Sequence, residues 1–170
     1  MPPRPERTEA AAYYGTYIDR VPDGEIVDIL ENQLEEVLAL CRTISEEKSL
    51  HRYAPGKWSL RETLSHISDT ERVFAFRAFW FARAYTTPLP DYDQDIAARA
   101  GRADEVSWAR HVDEFHHVRL ATISLFRNLP AGAGMRKGVA SGNPFTVRAL
   151  ACIAAGHVAH HLAIVKERYL

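Results

Sequence analysis

The 170-residue chain contains only two cysteines, Cys41 and Cys152, with neither CxxC nor zinc-ribbon spacing. They read as buried small hydrophobes in a reducing compartment, and no motif supports a catalytic thiol. An excess of one charge is also missing: 21 Lys and Arg face 22 Asp and Glu, for a net charge of −1. Phosphate binding needs a concentrated basic surface, so nucleic acid is excluded as an obligatory partner. No uninterrupted apolar run approaches the roughly 20 residues that cross a bilayer. The opening Met1-Pro-Pro-Arg-Pro-Glu-Arg lacks the apolar core of a signal peptide, and the expected location is the cytoplasm. Neither a GxSxG nucleophile turn nor a phosphate-cradling glycine loop is present.

What is present is helical periodicity. Apolar residues make up 46% of the chain, enough for one domain with a substantial core. Residues 1–22 form a leader whose Tyr13, Tyr14 and Tyr17 are expected to pack on the domain formed by residues 23–170. After Pro22-Asp23-Gly24, the residues Ile26, Ile29, Leu30, Leu34, Val37, Leu38 and Cys41 recur at three- and four-residue steps. A second helix follows Pro55-Gly56, opens on a Ser59-x-x-Glu62 capping box and runs to about Tyr85. A loop from Thr86 to about Glu105, with room for one helical turn, leads to a third helix over Ser107–Asn128. The fourth starts at Thr146 as N-cap and runs almost to the C-terminus. Strand signals are weak everywhere. Four helices of about 20 residues joined by longer loops predict an all-α four-helix bundle.

The last helix carries an inward stripe through Val147, Leu150, Ala154, His157, His161 and Ile164. Two histidines thus occupy core positions, where a neutral imidazole must satisfy both ring nitrogens. Residues i and i+4 lie about 40° apart on one helix face, so both rings can reach one ion. Buried histidines bonded to carbonyls or a tyrosine are the alternative. His160 reads as a neighbour of this pair, with ligation the competing role. Catalytic ions of the zinc type commonly take three protein ligands and keep a position for water or substrate. His66 is the best third ligand, because Glu62 and Asp69 share its face and can orient a ring or move a proton. The capping box is the simpler role for Glu62, and a surface position is open for Asp69. His111, His116 and His117 compete with His66 but read as surface or mixed-face residues; His51 reads as exposed.

The segment Tyr53-Ala-Pro-Gly-Lys-Trp-Ser-Leu-Arg-Glu-Thr-Leu-Ser-His-Ile-Ser-Asp-Thr-Glu-Arg-Val-Phe resembles the second-helix signature of the DinB/YfiT-like family. Ala155-Gly-His-Val-Ala-His-His-Leu-Ala-Ile-Val-Lys-Glu-Arg-Tyr resembles that family's closing helix. The similarity extends from about Tyr13 onward. It implies a bundle of unusual connectivity, often dimeric, with a divalent metal on three histidines, here His66, His157 and His161. Zinc or nickel is the expected ion, ahead of manganese or iron. Characterised relatives include transferases and isomerases that use low-molecular-weight thiols, and others are described as metal-dependent hydrolases. Leu162-Ala163-Ile164 stands where many relatives carry Arg-Gly-Gln, a departure that spares the ligands and bears on the substrate.

Two functions follow as expectations. One is a metalloenzyme that activates a low-molecular-weight thiol or a water against a small-molecule substrate. Glu62 or Asp69 would move the proton, and the resemblance slightly favours thiol transfer. The other is a non-catalytic, metal-stabilised module closed by a fourth ligand from Asp69, Glu62 or His160. A homodimer is also expected. Phe74, Phe76, Phe79, Trp80 and Phe81 circle much of the second helix, and a helix apolar on several sides must bury several sides.

Overall fold

The computed structural model describes residues 4–170. In chain order its helices are α1 (Gly15–Ile18), α2 (Ile26–Cys41), α3 (Leu60–Ala82), α4 (Gln94–Gly101), α5 (Trp108–Arg127) and α6 (Val147–Arg168). The long helices α2, α3, α5 and α6 form a four-helix bundle, with α3 packed against both α5 and α6. Local chemistry sets the helix starts. Ser59 Oγ accepts from the Glu62 amide while Glu62 returns to the Ser59 amide, completing the capping box at α3. Thr146 Oγ1 accepts from the Ala149 amide and caps α6.

The weak strand signals conceal one hairpin. Strands β1 (Lys137–Ala140) and β2 (Asn143–Thr146) pair antiparallel, and β2 runs straight into α6. The turn between them is Ser141-Gly142, both at positive φ. The Thr86–Glu105 segment contains α4 and a further 3-10 turn at Ala103–Glu105, more structure than one helical turn.

Helix α6 packs against α3, α1 and α2. By length and composition it could cross a membrane, but 61% of its apolar window is buried inside the protein, as in a core helix. Beside it lies a polar clamp that joins all four long helices. Arg119 on α5 donates from Nε and Nη2 to both carboxylate oxygens of Glu71 on α3, at 2.8 and 2.7 Å. Its Nη1 donates to Gln33 Oε1 on α2 at 2.8 Å, and Gln33 Nε2 donates to the Ala155 carbonyl on α6. Arg119 and Glu71 are both fully buried, so this charge pair is tolerable only because every member is bonded.

The leader from residue 4 onward lies against α6. Glu9 accepts from Thr146 Oγ1 and Arg148 Nε, each at 2.7 Å. The Arg148 guanidinium holds the Glu9 carboxyl down at about 2. Tyr17 crosses α6 at Gly156, where a Cβ would sit 2.1 Å from the Tyr17 carbonyl oxygen. Glycine there allows two backbones to touch.

Candidate metal centre

His66 comes from the second turn of α3, and His157 and His161 from consecutive turns of α6. All three rings point to one spot. His157 Nε2 lies 3.1 Å from His66 Nε2 and 3.1 Å from His161 Nε2. The ligand atoms of the three residues all fall within 4.8 Å of one another. One proton on His157 Nε2 can satisfy only one of its two contacts. A divalent ion satisfies all three nitrogens, and Zn–N bonds of about 2.0–2.1 Å in a tetrahedron give N···N separations of about 3.3 Å. The donor set therefore fits a metal of the zinc type.

The surroundings prepare those nitrogens as ligands. His66 Nδ1 is 3.3 Å from Thr70 Oγ1 one turn along α3. Donation from Nδ1–H to that hydroxyl leaves the Nε2 lone pair facing the cluster. The rings of Trp58 on His66, and of Tyr17 and Phe74 on His157, wall the site, at centroid distances of 4.7, 5.5 and 5.9 Å. Burial disfavours the imidazolium forms, lowering His66 to about 4, His161 to about 3 and His157 well below its usual value. Neutral imidazole, the ligating form, is thus the state at pH 7.

The other residues singled out from sequence are placed as follows. Glu62 is occupied by its capping box and by an ion pair with Arg52, which also reaches Asp104. Asp69 pairs with Arg72 at 3.0 Å, and burial raises its pKa. Neither belongs to the three-histidine cluster, which among the described residues includes no carboxylate. His160 contacts the Tyr17 ring and stays outside the cluster. His111 corrects the surface reading: it is buried, with Nε2 2.8 Å from the Ala103 carbonyl, because the 3-10 turn at Ala103–Glu105 lies over it. Cys41 and Cys152 are buried and free, and burial pushes their thiols up to about 12 and about 11.

A cavity of about 470 Å³ opens onto His157. Its wall comprises Tyr13, Tyr14 and Tyr17 of the leader, Thr70 to Arg77 of α3, Asp91 and Tyr92 before α4, and Ser141 and Asn143 of the hairpin. Sequence reading did not find Arg77, Tyr92 or Ser141, which come from separate parts of the chain. The spacing of Thr70 and Arg77 from His66, four and eleven residues along one helix, was the available signal.

The fold and this histidine set define a helical-bundle protein with a candidate three-histidine metal centre. The family model described as the DinB superfamily matches residues 29–165, and the chain belongs to that superfamily. No curated protein matches the sequence. Among solved structures, YfiT from Bacillus subtilis superposes with a TM-score of 0.74 at 16% identity, covering 96% of this chain and 89% of that one. That protein is described as "a probable metal-dependent hydrolase with an unusual four-helix bundle topology". At this identity the likeness establishes the bundle topology.

Proposed function

We propose that the protein is a metal-dependent enzyme of the hydrolase type, with one divalent ion, zinc or nickel, held by His66, His157 and His161. The observation that supports this reading is the cavity reaching His157, one member of a three-nitrogen set that no fourth protein ligand joins among the described residues. An ion held there lowers the pKa of a bound water to about 7, or binds a thiol as thiolate. The chain's residues supply the rest. Thr70 holds the His66 tautomer, and Trp58, Tyr17 and Phe74 keep bulk water from the ring faces. Glu62 and Asp69 are each engaged by an arginine, Arg52 and Arg72, and neither lines the cavity, so a proton-transfer role for either is left to mutation.

Hydrolysis is preferred to thiol transfer on the YfiT description. A cavity of about 470 Å³ has room for a small organic substrate. A panel of aryl esters and amides, with and without zinc, tests it. Zinc-dependent cleavage lost in His161→Ala is the expected result. No cleavage of any panel member, together with zinc-dependent conjugation of glutathione to an aryl halide, would replace hydrolysis with thiol transfer.

A further inference from the structure

Four arginines are buried: Arg61, Arg77, Arg119 and Arg148. Three of them hold a glutamate, through the pairs Arg61–Glu46, Arg119–Glu71 and Arg148–Glu9. Arg77 is the exception. Its side chain makes two hydrogen bonds among the described residues, both from Nη2: to Ser141 Oγ at 2.7 Å and, weakly, to the Pro90 carbonyl at 3.5 Å. Arg77 is only 4% exposed, yet it forms no ion pair with any described carboxylate. Asp91, an exposed carboxylate outside contact distance, acts on it through the Ser141 hydroxyl and by attraction through space. Nε and Nη1 have no acceptor among the described residues and keep contact with solvent, and Arg77 lines the cavity that ends at His157.

A buried guanidinium that no carboxylate contacts is costly, and the other three buried arginines each contact one. The exception lies on the cavity wall, three turns of α3 beyond His66, about 16 Å of helix rise. Between the two ends one side of the wall is aromatic and apolar, with Val73, Phe74, Tyr14 and Tyr17, while Thr70, Gln94 and Asn143 add polar groups. Building on the reading of this cavity as the substrate site, we propose that its substrate is an organic acid with an apolar or aromatic body, whose carboxylate pairs with Arg77 while its reacting group lies at the three histidines. One guanidinium tempered by Asp91 balances a single negative charge, which suits a carboxylate better than a phosphate dianion. The planar fork of Nε and Nη matches the two carboxylate oxygens.

The test is calorimetric titration of the zinc-loaded protein with 3-phenylpropanoate and with its neutral amide. The carboxylate is expected to bind at least about tenfold more tightly than the amide, as a charge-assisted pair requires. Arg77→Met should erase that difference, and Arg77→Lys should keep part of it. Arg77→Met is also expected to melt no lower than wild type, because it removes a buried charge that no carboxylate contacts; a purely structural arginine would lower the melting temperature instead. Equal binding of acid and amide by the wild type overturns the proposal without any variant, as does the absence of saturable acid binding. Full acid preference in Arg77→Met overturns it too, since the carboxylate would then be on the metal. The probe has no cleavable bond, so a failed ester screen leaves this result standing, and a failed binding test leaves the metal chemistry standing.

Discussion

At the scale of single residues, the site is organised by burial. Of the clustered histidines His66 and His157 are buried and His161 half-buried, and this burial keeps their nitrogens unprotonated. The same burial makes the metal-free protein sensitive to acid. Unfolded histidines take up protons near pH 6.5, while folded His66 and His161 wait until about 4 and about 3. Between these limits the unfolded chain binds more protons, so stability rises with pH and is lost as pH falls from about 6.5. His66 alone accounts for up to about 3 kcal/mol of that loss. Urea unfolding of the chelated protein should therefore give a clearly lower midpoint at pH 5 than at pH 7. Glu9 contributes only in more acidic solution, because Arg148 holds its pKa at about 2. A flat profile from pH 7 to pH 5 would mean that the three rings are not buried as neutral bases.

At the scale of elements, legibility in the sequence followed locality. The capping box at Ser59 and Glu62, the Thr146 cap and the His157–His161 pair depend on residues three or four apart, and all could be read directly. The hairpin escaped because its strands are four residues each, too short to show a period of two. The clamp of Arg119, Glu71, Gln33 and Ala155 escaped because it joins four helices whose mutual packing no local pattern encodes. His111 was misread for a similar reason, its cover arriving from the preceding turn at Ala103–Glu105. Gly156 shows how an element-level rule can be reversed by contact. Alanine is a better helix former than glycine by about 1 kcal/mol. In α6, however, its Cβ would sit 2.1 Å from the Tyr17 carbonyl oxygen, which is backbone and cannot rotate away. Gly156→Ala should accordingly lower the melting temperature, the steric cost exceeding the propensity gain. It should also displace Tyr17 from His157. A variant about 1 kcal/mol more stable than wild type would mean that the leader does not lie on α6.

At the scale of the whole molecule, the aromatic residues of α3 divide. Phe74 and Phe81 enter the core, and Trp80 stacks on Tyr85 at a centroid distance of 4.0 Å. Phe76 and Phe79 remain exposed, at 51% and 38%, and flank an apolar groove with Val118 and Leu125 of α5. A second copy of the chain, related by a twofold axis, is the proposed cover for this face. Light scattering over a range of concentrations should give the mass of a dimer, and Phe76→Asp should shift it toward the monomer. A wild-type monomer throughout would remove the dimer and leave the proposed metal centre unaffected, since all three histidines come from one chain.

The proposed chemistry rests on an open divalent metal site at His66, His157 and His161. Titration of the metal-free protein with cobalt(II), followed by visible absorption, probes the ion and its open position together. Ligand-field bands should saturate at a single equivalent per chain, shift when azide is added, and be absent from His157→Ala. The contradicting result is a wild-type spectrum that never saturates, which denies the site, or saturated bands indifferent to azide and thiol, which mean a closed shell and a structural ion.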